Sequence, residues 1–397
     1  MQQNRFIGSL LIIAGTTIGA GMLALPLAAS SMGFPLALLT MLLIWALMSY
    51  TALLMLELHQ DASPQATLHT LARQYLGRPG QWLATLSMLF LFYALCAAYI
   101  AGGSEQLTAR LAVLGNIPDW SGALIWTLAV GALIVSGTGK VDLVNRALFI
   151  LKLIALASIL VLLMPKVEWI RLQATEVHSM AMVAALPVIF TSFGFHGSIP
   201  SVVRYLGMDL AKLKRAILLG SALPLLVYAL WLMVSIGNLG QSALINHAGL
   251  NDLIAGLSQA ANAPLLQQVI AGFADLALAT SFLGVALGLF DFITDMLRQK
   301  RWITGLLTFL PPLAFALYYP SGFIMALGYA AIALVMLAIF LPVAMVWRRR
   351  ANESSKTSAK TGNGTATGAY KVKGGTPALV IALLMGLGII AAQLLCA

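Results

Sequence analysis

Two glycine-rich motifs, 175 residues apart from Gly19 to Gly194, interrupt otherwise apolar segments and constrain this chain more than any other feature. The first is Gly15-Thr16-Thr17-Ile18-Gly19-Ala20-Gly21-Met22; the second is Thr191-Ser192-Phe193-Gly194-Phe195-His196-Gly197-Ser198. Glycine weakens a helix because it forfeits more backbone entropy on ordering than any other residue. Each segment is long enough to cross a bilayer, where an open backbone group costs on the order of several kcal/mol unless protein, water or ligand meets it. Matching breaks in two halves of a membrane protein point to a binding site shared by internal repeats, as in a secondary transporter.

The setting of these breaks is a bilayer. The chain is 60% hydrophobic and 9% charged, against roughly 25% charged in a soluble domain. Polar groups are too few to clothe a water-facing globule of 397 residues, and the mean hydropathy is +0.92. Several apolar runs exceed the roughly 20 residues that span hydrocarbon. Cys96 and Cys396 lie far apart in apolar segments, which excludes a disulfide framework. The five histidines stand alone, so no metal cluster is expected, and no GxxxxGK[ST] loop supports nucleotide drive. No cofactor is implied. Arg5 and the apolar run after it resemble a signal peptide, but the glycine-threonine stretch marks a first membrane helix instead.

The pattern predicts an all-α polytopic membrane protein of eleven spans, near 6–29, 33–58, 82–107, 121–138, 144–164, 179–203, 215–237, 265–292, 302–318, 322–346 and 376–396. Charge orients it. Of 23 Lys and Arg residues, only Arg110, Lys166 and Arg171 fall in outside loops and Lys152 lies within a span, leaving 19 on the cytoplasmic side. The N-terminus is then cytoplasmic and the C-terminus periplasmic. This asymmetry accounts for the net charge of +10 without a nucleic-acid partner. Pro26 and Pro200, 174 residues apart, repeat the spacing of the glycine motifs. Five spans precede the second break, and an odd number per repeat inverts the topology of the second repeat. The expected organisation is a first five-helix repeat over 1–164, an inverted second over 165–346, a flexible basic cytoplasmic linker over 347–375, and an eleventh helix over 376–397. The loop 238–264, with Asn246, His247, Asn251 and Asp252, reads as a connector with one short helix or as a cap on an outer vestibule.

Several residues can carry function. If the first segment unwinds near Thr16–Gly21, the amides of the following half-helix attract a carboxylate, and Thr16 and Thr17 add hydroxyl donors. The alternative is a small-residue packing face through Gly15 and Gly19. At the second break, exposed carbonyls can accept from a substrate ammonium, Phe193 and Phe195 can pack on an aromatic ring, and His196 can bond or titrate. The alternative is a histidine satisfied by a neighbouring helix. Lys152, two turns inside span 5, must be paired, hydrated, neutral or snorkelling to the interface. Thr280 and Ser281 bring hydroxyls to the same depth in span 8, where Asp275 can meet a cation or take a proton. Tyr93 and Tyr99 place phenols in the core, each with a substrate carboxylate or a neighbouring helix as partner. Glu57, Glu105, Asp291 and Asp295 read as interfacial. An intramembrane enzyme using His196 as base would need a nucleophilic or acidic partner, and a channel would need a polar stripe that no span shows.

The run from Gly15 to Pro26, the run from Ser192 to Ser201 and the run from Phe273 to Gly284 together resemble the bacterial hydroxy/aromatic amino acid permease family, over essentially the whole chain. The resemblance implies proton-coupled import of an aromatic amino acid across the inner membrane. L-tyrosine is expected before tryptophan, because tryptophan permeases tend to carry Asn where this chain has Ser198. It also implies the leucine-transporter-like inverted repeat of the amino acid–polyamine–organocation superfamily, with discontinuous spans 1 and 6. Substrate binding then falls on Thr16, Thr17, Gly19, Ala20 and Gly21, on Phe193, Gly194, Phe195, His196 and Gly197, and on Tyr99. Proton coupling falls on Lys152 with Thr280 and Ser281, and with Asp275 as a further candidate. The partners implied are the amino acid, a proton and membrane lipid.

Overall fold

The computed structural model describes residues 2–112, 115, 118, 120–173, 179–246, 249–261, 264–359 and 370–396, and every regular element among them is helical. The first predicted span is divided into α1 (Gln2–Thr17) and α2 (Gly21–Ala29), and α3 (Gly33–His59) follows. Next come α4 (Leu68–Leu111), α5 (Trp120–Ser136), α6 (Thr138–Leu163) and the short α7 (Trp169–Gln173). The sixth predicted span is divided into α8 (Ser179–Ser192) and α9 (Ile199–Leu206). Beyond them lie α10 (Leu210–Leu239), α11 (Gln241–Asn246), α12 (Leu250–Ala261) and α13 (Pro264–Leu297). The chain closes with α14 (Arg301–Tyr318), α15 (Phe323–Val335), α16 (Leu341–Ala359) and α17 (Gly375–Cys396).

Among the described residues, eight helical stretches are long and apolar enough to cross a membrane, and Arg5–Thr17 and Trp120–Ser136 are shorter apolar helices. The outer faces are as apolar as the core: Leu128, Val161, Leu226 and Leu384 are exposed while Met48, Leu56 and Phe282 are buried. A protein apolar on both sides suits hydrocarbon and not water, which makes this an integral membrane protein.

The divided helices lie at the centre. α1 packs on α10 and α2 on α8, while α13 packs on α6 and α4. At the first break a Cβ on Gly19 would come within 2.7 Å of the Ser281 hydroxyl, so the close approach of α13 requires glycine there. At the second, a short 3₁₀ turn over His196–Ser198 leads into α9, whose first turn holds Pro200 where no amide partner is lost. Asp209 caps α10 at the Lys212 amide (3.1 Å), and its hydrogen bonds with Lys212 hold its carboxyl below the ordinary value.

Three features depart from the sequence expectation. The span predicted over 322–346 carries a π-helical turn at Met336–Phe340 between α15 and α16, with no proline or glycine in that turn to announce it. The loop expected to hold one short helix holds two, α11 and α12. Asn251 binds the outer part of α4 there, its amide donating to Glu105 (3.1 Å) and its carbonyl oxygen accepting from Gln106 (2.5 Å). His247 lies outside the described residues. Third, the stretch expected to be flexible from 347 is helical to Ala359, and Tyr370–Lys373 is fastened to the bundle.

Glu57 does the fastening, and it is fully buried rather than interfacial. Arg350 grips both of its carboxylate oxygens at 2.8 and 2.7 Å, and the Val372 amide donates to it at 2.7 Å. Arg349 reaches Glu57 at 3.4 Å and Asp61 at 2.6 Å. The Gln60 side-chain amide donates to the Tyr370 carbonyl at 2.9 Å and accepts from the Tyr370 N–H at 2.8 Å, and the Lys214 ammonium sits 3.5 Å over the Tyr370 ring. One carboxylate thus ties α3, α16 and the segment before α17 together. Breaking a buried ion pair from one side costs about 3–5 kcal/mol, whereas a surface pair is worth about 0–1 kcal/mol. Glu57→Ala is therefore expected to lower the thermal unfolding temperature in detergent by several degrees. Glu353→Gln, which touches the same arginine cluster from the half-exposed rim, is expected to change it little.

Candidate functional site

Each break exposes backbone groups that a continuous helix would satisfy internally. At the first, the Ile18 amide still returns to Ala14 at 2.8 Å, and the Met22 and Leu23 amides return to Gly19 and Ala20 at 3.2 and 3.0 Å. The Ala20 amide instead donates to the Ser281 hydroxyl on α13 at 2.8 Å. The Gly21 carbonyl accepts from the Ser192 hydroxyl at 3.2 Å, which joins the start of α2 directly to the end of α8. Thr16 and Thr17 are not donors toward the break: their hydroxyls donate to Ile12 and Ile13 of α1, both at 2.7 Å. A threonine in a helix reaches its own preceding turn more easily than a distant ligand.

Lys152 is buried, 1% exposed, and does not snorkel. Its ammonium donates to the Ile18 carbonyl of the first break at 2.9 Å and to Thr280 on α13 at 3.0 Å, and lies 4.6 Å from the Phe149 ring centroid. Thr280 sends its own proton back to Leu276 at 2.8 Å, which leaves its oxygen free to accept from the lysine. No carboxylate pairs with Lys152 among the described residues. A cation held by a backbone carbonyl, a hydroxyl and an aromatic face is thus lodged between α6, α13 and the broken helix.

At the second break the amides of Phe193 and Gly194 turn back to Phe190 and Thr191, both at 3.1 Å, and the Phe195 amide reaches Phe193 at 3.0 Å. Phe193 and Phe195 are buried against other rings: Phe193 meets Tyr228 edge-on at 5.3 Å and Phe195 lies 5.1 Å from His196. His196 faces α3, where Nε2 sits 2.9 Å from the Thr51 hydroxyl. The Thr51 hydroxyl also lies 3.1 and 3.2 Å from the Leu47 and Met48 carbonyls of its own helix. His196 Nδ1 is buried without a hydrogen-bond partner among the described residues. Gly197 borders open space, with nothing within 4 Å of a Cβ built there. Ser198 spends its hydroxyl locally, on Phe195 at 2.8 Å.

The remaining candidates separate. Tyr99 is buried on α4 and faces Ser281 of α13 near the first break. Tyr93 is drawn away, donating to Leu307 on α14 at 2.7 Å. Asp275 is ion-paired to Arg110 and ties α13 to the end of α4, away from the Lys152 cluster.

One residue central to this geometry gave no signal in the sequence. Tyr228, in the middle of α10 and fully buried, places its hydroxyl 2.5 Å from the Thr17 carbonyl and 2.9 Å from the Ser192 carbonyl. These are the last residues of α1 and α8, so a single phenol joins both breaks. One and two turns further along the same face, the Trp231 indole N–H and the Ser235 hydroxyl are buried without hydrogen-bond partners among the described residues.

A profile of the tryptophan/tyrosine permease family matches residues 2–393. The chain belongs to that family. Among its relatives, tyrosine-specific transport system 1 of Haemophilus influenzae is 42% identical, over 96% of this chain and 95% of its own length. Tyrosine-specific transport system 2 of the same organism is 41% identical, over 97% and 95%. The tryptophan-specific transport protein of Pseudomonas aeruginosa is 30% identical, over 98% and 94%. The permease thus sits among transporters, which points away from an enzyme.

The two glycine positions are expected to respond differently. Gly19→Ala drives a methyl into Ser281 and the amide it holds, an overpacking cost of about 1–3 kcal/mol. Gly197→Ala meets open space and is expected to leave stability within about 0.5 kcal/mol. Thermal unfolding of the two variants in one detergent compares them directly.

Proposed function

We propose that this permease imports an aromatic amino acid, L-tyrosine by preference, together with a proton across the bacterial inner membrane by alternating access. The observation that carries the reading is the Lys152 ammonium, bound to the carbonyl of a broken helix and to Thr280 of α13. A lysine there is a titratable cation whose charge state decides how firmly α1 is tied to α13. Protonated, it supplies donors to Ile18 and Thr280. Neutral, it loses the charge that strengthens those bonds, and the broken segment is freed to change its packing. The substrate preference rests on the relatives named for tyrosine.

The rest of the assignment follows from the same frame. The eleven predicted spans make two inverted five-helix repeats, residues 1–164 and 165–346, plus a final helix, with the N-terminus cytoplasmic and the C-terminus periplasmic. In this arrangement the substrate carboxylate meets amides of Gly19, Ala20 and Gly21. Its ammonium meets carbonyls at the ends of α1 and α8, and its ring lies near Phe193 and Phe195, with Tyr99 alongside. Proton and amino acid each bias the same two-state element, so each strengthens the binding of the other. His196 is assigned to holding the second break against α3 through Thr51, and Asp275 to its pair with Arg110. No bond in the substrate is made or broken.

Uptake of labelled L-tyrosine into proteoliposomes tests this. An imposed inward proton gradient without sodium is expected to drive accumulation that a protonophore abolishes and that excess tryptophan inhibits weakly. Lys152→Ala is expected to lose gradient-driven accumulation while retaining tyrosine–tyrosine exchange. Accumulation that requires sodium, or that survives in Lys152→Ala, overturns proton coupling at this lysine. Stronger inhibition by tryptophan than by tyrosine reassigns the substrate.

A further inference from the structure

We infer that the Tyr228 hydroxyl is a built-in stand-in for the substrate ammonium: it occupies the Thr17 and Ser192 carbonyls while the site is empty, and an amino acid displaces it. This rests on the reading of the two breaks as the amino acid site and adds a residue to it.

The geometry supplies the argument. Thr17 and Ser192 end α1 and α8, and a helix that stops leaves its last carbonyls without intrahelical donors. Their depth in the bundle denies them bulk water, so each needs a donor. One phenol O–H is the hydrogen-bond partner of both, at 2.5 and 2.9 Å. A hydroxyl carries a single proton, so the two carbonyls are satisfied only by sharing one donor. An ammonium carries three N–H donors and a full positive charge, and charge-assisted bonds are roughly twice as strong as neutral ones. The exchange therefore favours an ammonium. It also costs the phenol its two acceptors, which sets a threshold that a ligand without an ammonium has no means of meeting. Phe193 packs edge-on to the Tyr228 ring at 5.3 Å, so displacing the phenol also presses on the second break. The stand-in keeps the empty site closed around satisfied backbone, and a ligand bearing an ammonium reopens it.

The expected signs follow. Tyr228→Phe removes the competitor, so binding of L-tyrosine tightens, by about three- to tenfold for one net hydrogen bond. For 3-(4-hydroxyphenyl)propionate, which lacks the ammonium, the wild-type phenol keeps the carbonyls satisfied in the complex. The phenylalanine variant leaves them bare, so this analogue binds the same or more weakly. Discrimination between amino acid and deaminated analogue thus widens.

The experiment is equilibrium binding of both compounds to the full-length detergent-solubilised permease and to Tyr228→Phe, with thermal unfolding recorded alongside. Tighter tyrosine with unchanged or weaker analogue supports the inference. Equal weakening of both ligands assigns Tyr228 a structural role and overturns it. Weakening of tyrosine alone makes the phenol a direct ligand of the substrate, and overturns it as well. Should the variant fail to fold, 3-fluorotyrosine incorporated at position 228 keeps the hydroxyl, and its ¹⁹F resonance is expected to move on adding L-tyrosine but not the analogue. Movement with both, or with neither while tyrosine binds, overturns the stand-in. No binding of L-tyrosine to the unaltered protein overturns the substrate reading itself, an outcome distinct from the others.

Discussion

A backbone carbonyl or amide in hydrocarbon must find a partner, and two helices of this permease stop inside the bundle. The rest of the centre answers that demand. Ser281 meets an amide of the first break, Lys152 a carbonyl two residues earlier in the sequence, and Ser192 a carbonyl of α2. Tyr228 meets the last carbonyls of both α1 and α8. These partners come from α6, α8, α10 and α13, so the open backbone of the breaks organises the packing of half the bundle. Because each partner is a side chain rather than a helical return bond, each can be exchanged for a ligand group without unfolding a helix.

This also explains how a cation is tolerated so deep in the protein. Lys152 lies against a carbonyl dipole, a hydroxyl oxygen and the face of an aromatic ring, all of them neutral. A carboxylate partner would lock the charge in place. Neutral partners stabilise it only partly and leave it without a fixed counter-charge. Around Glu57 the logic is opposite. Glu57 faces two guanidiniums and an amide at once, an arrangement that holds α3, α16 and the segment before α17 in one geometry.

Much of the site was legible in the sequence. Glycines in apolar runs marked both breaks, three within seven residues at the first and two within four at the second. Lys152 was legible as a lone charge in a span, and Thr280 and Ser281 as hydroxyls at matching depth. Other readings failed for a common reason: a side chain's type does not reveal its direction. Thr16 and Thr17 turned back onto α1 and Glu57 into the bundle, while Tyr93 took the neighbouring-helix partner that was one of its two alternatives. Tyr228 was overlooked because an aromatic in an apolar helix is ordinary, and only the two carbonyls it meets make it distinctive.

The sequence by itself determined that this chain lives in a bilayer, where its helices break and which family it belongs to, because hydropathy, glycine spacing and motif are properties of the chain taken in order. Tertiary structure alone decided which partners the broken backbone takes. Lys152 and Ile18 are 134 residues apart, and Tyr228 and Thr17 are 211 apart. No local rule connects groups so distant; they meet because several helices each bury one face against the same centre, and the unpaired carbonyls select whichever donor that packing brings within reach.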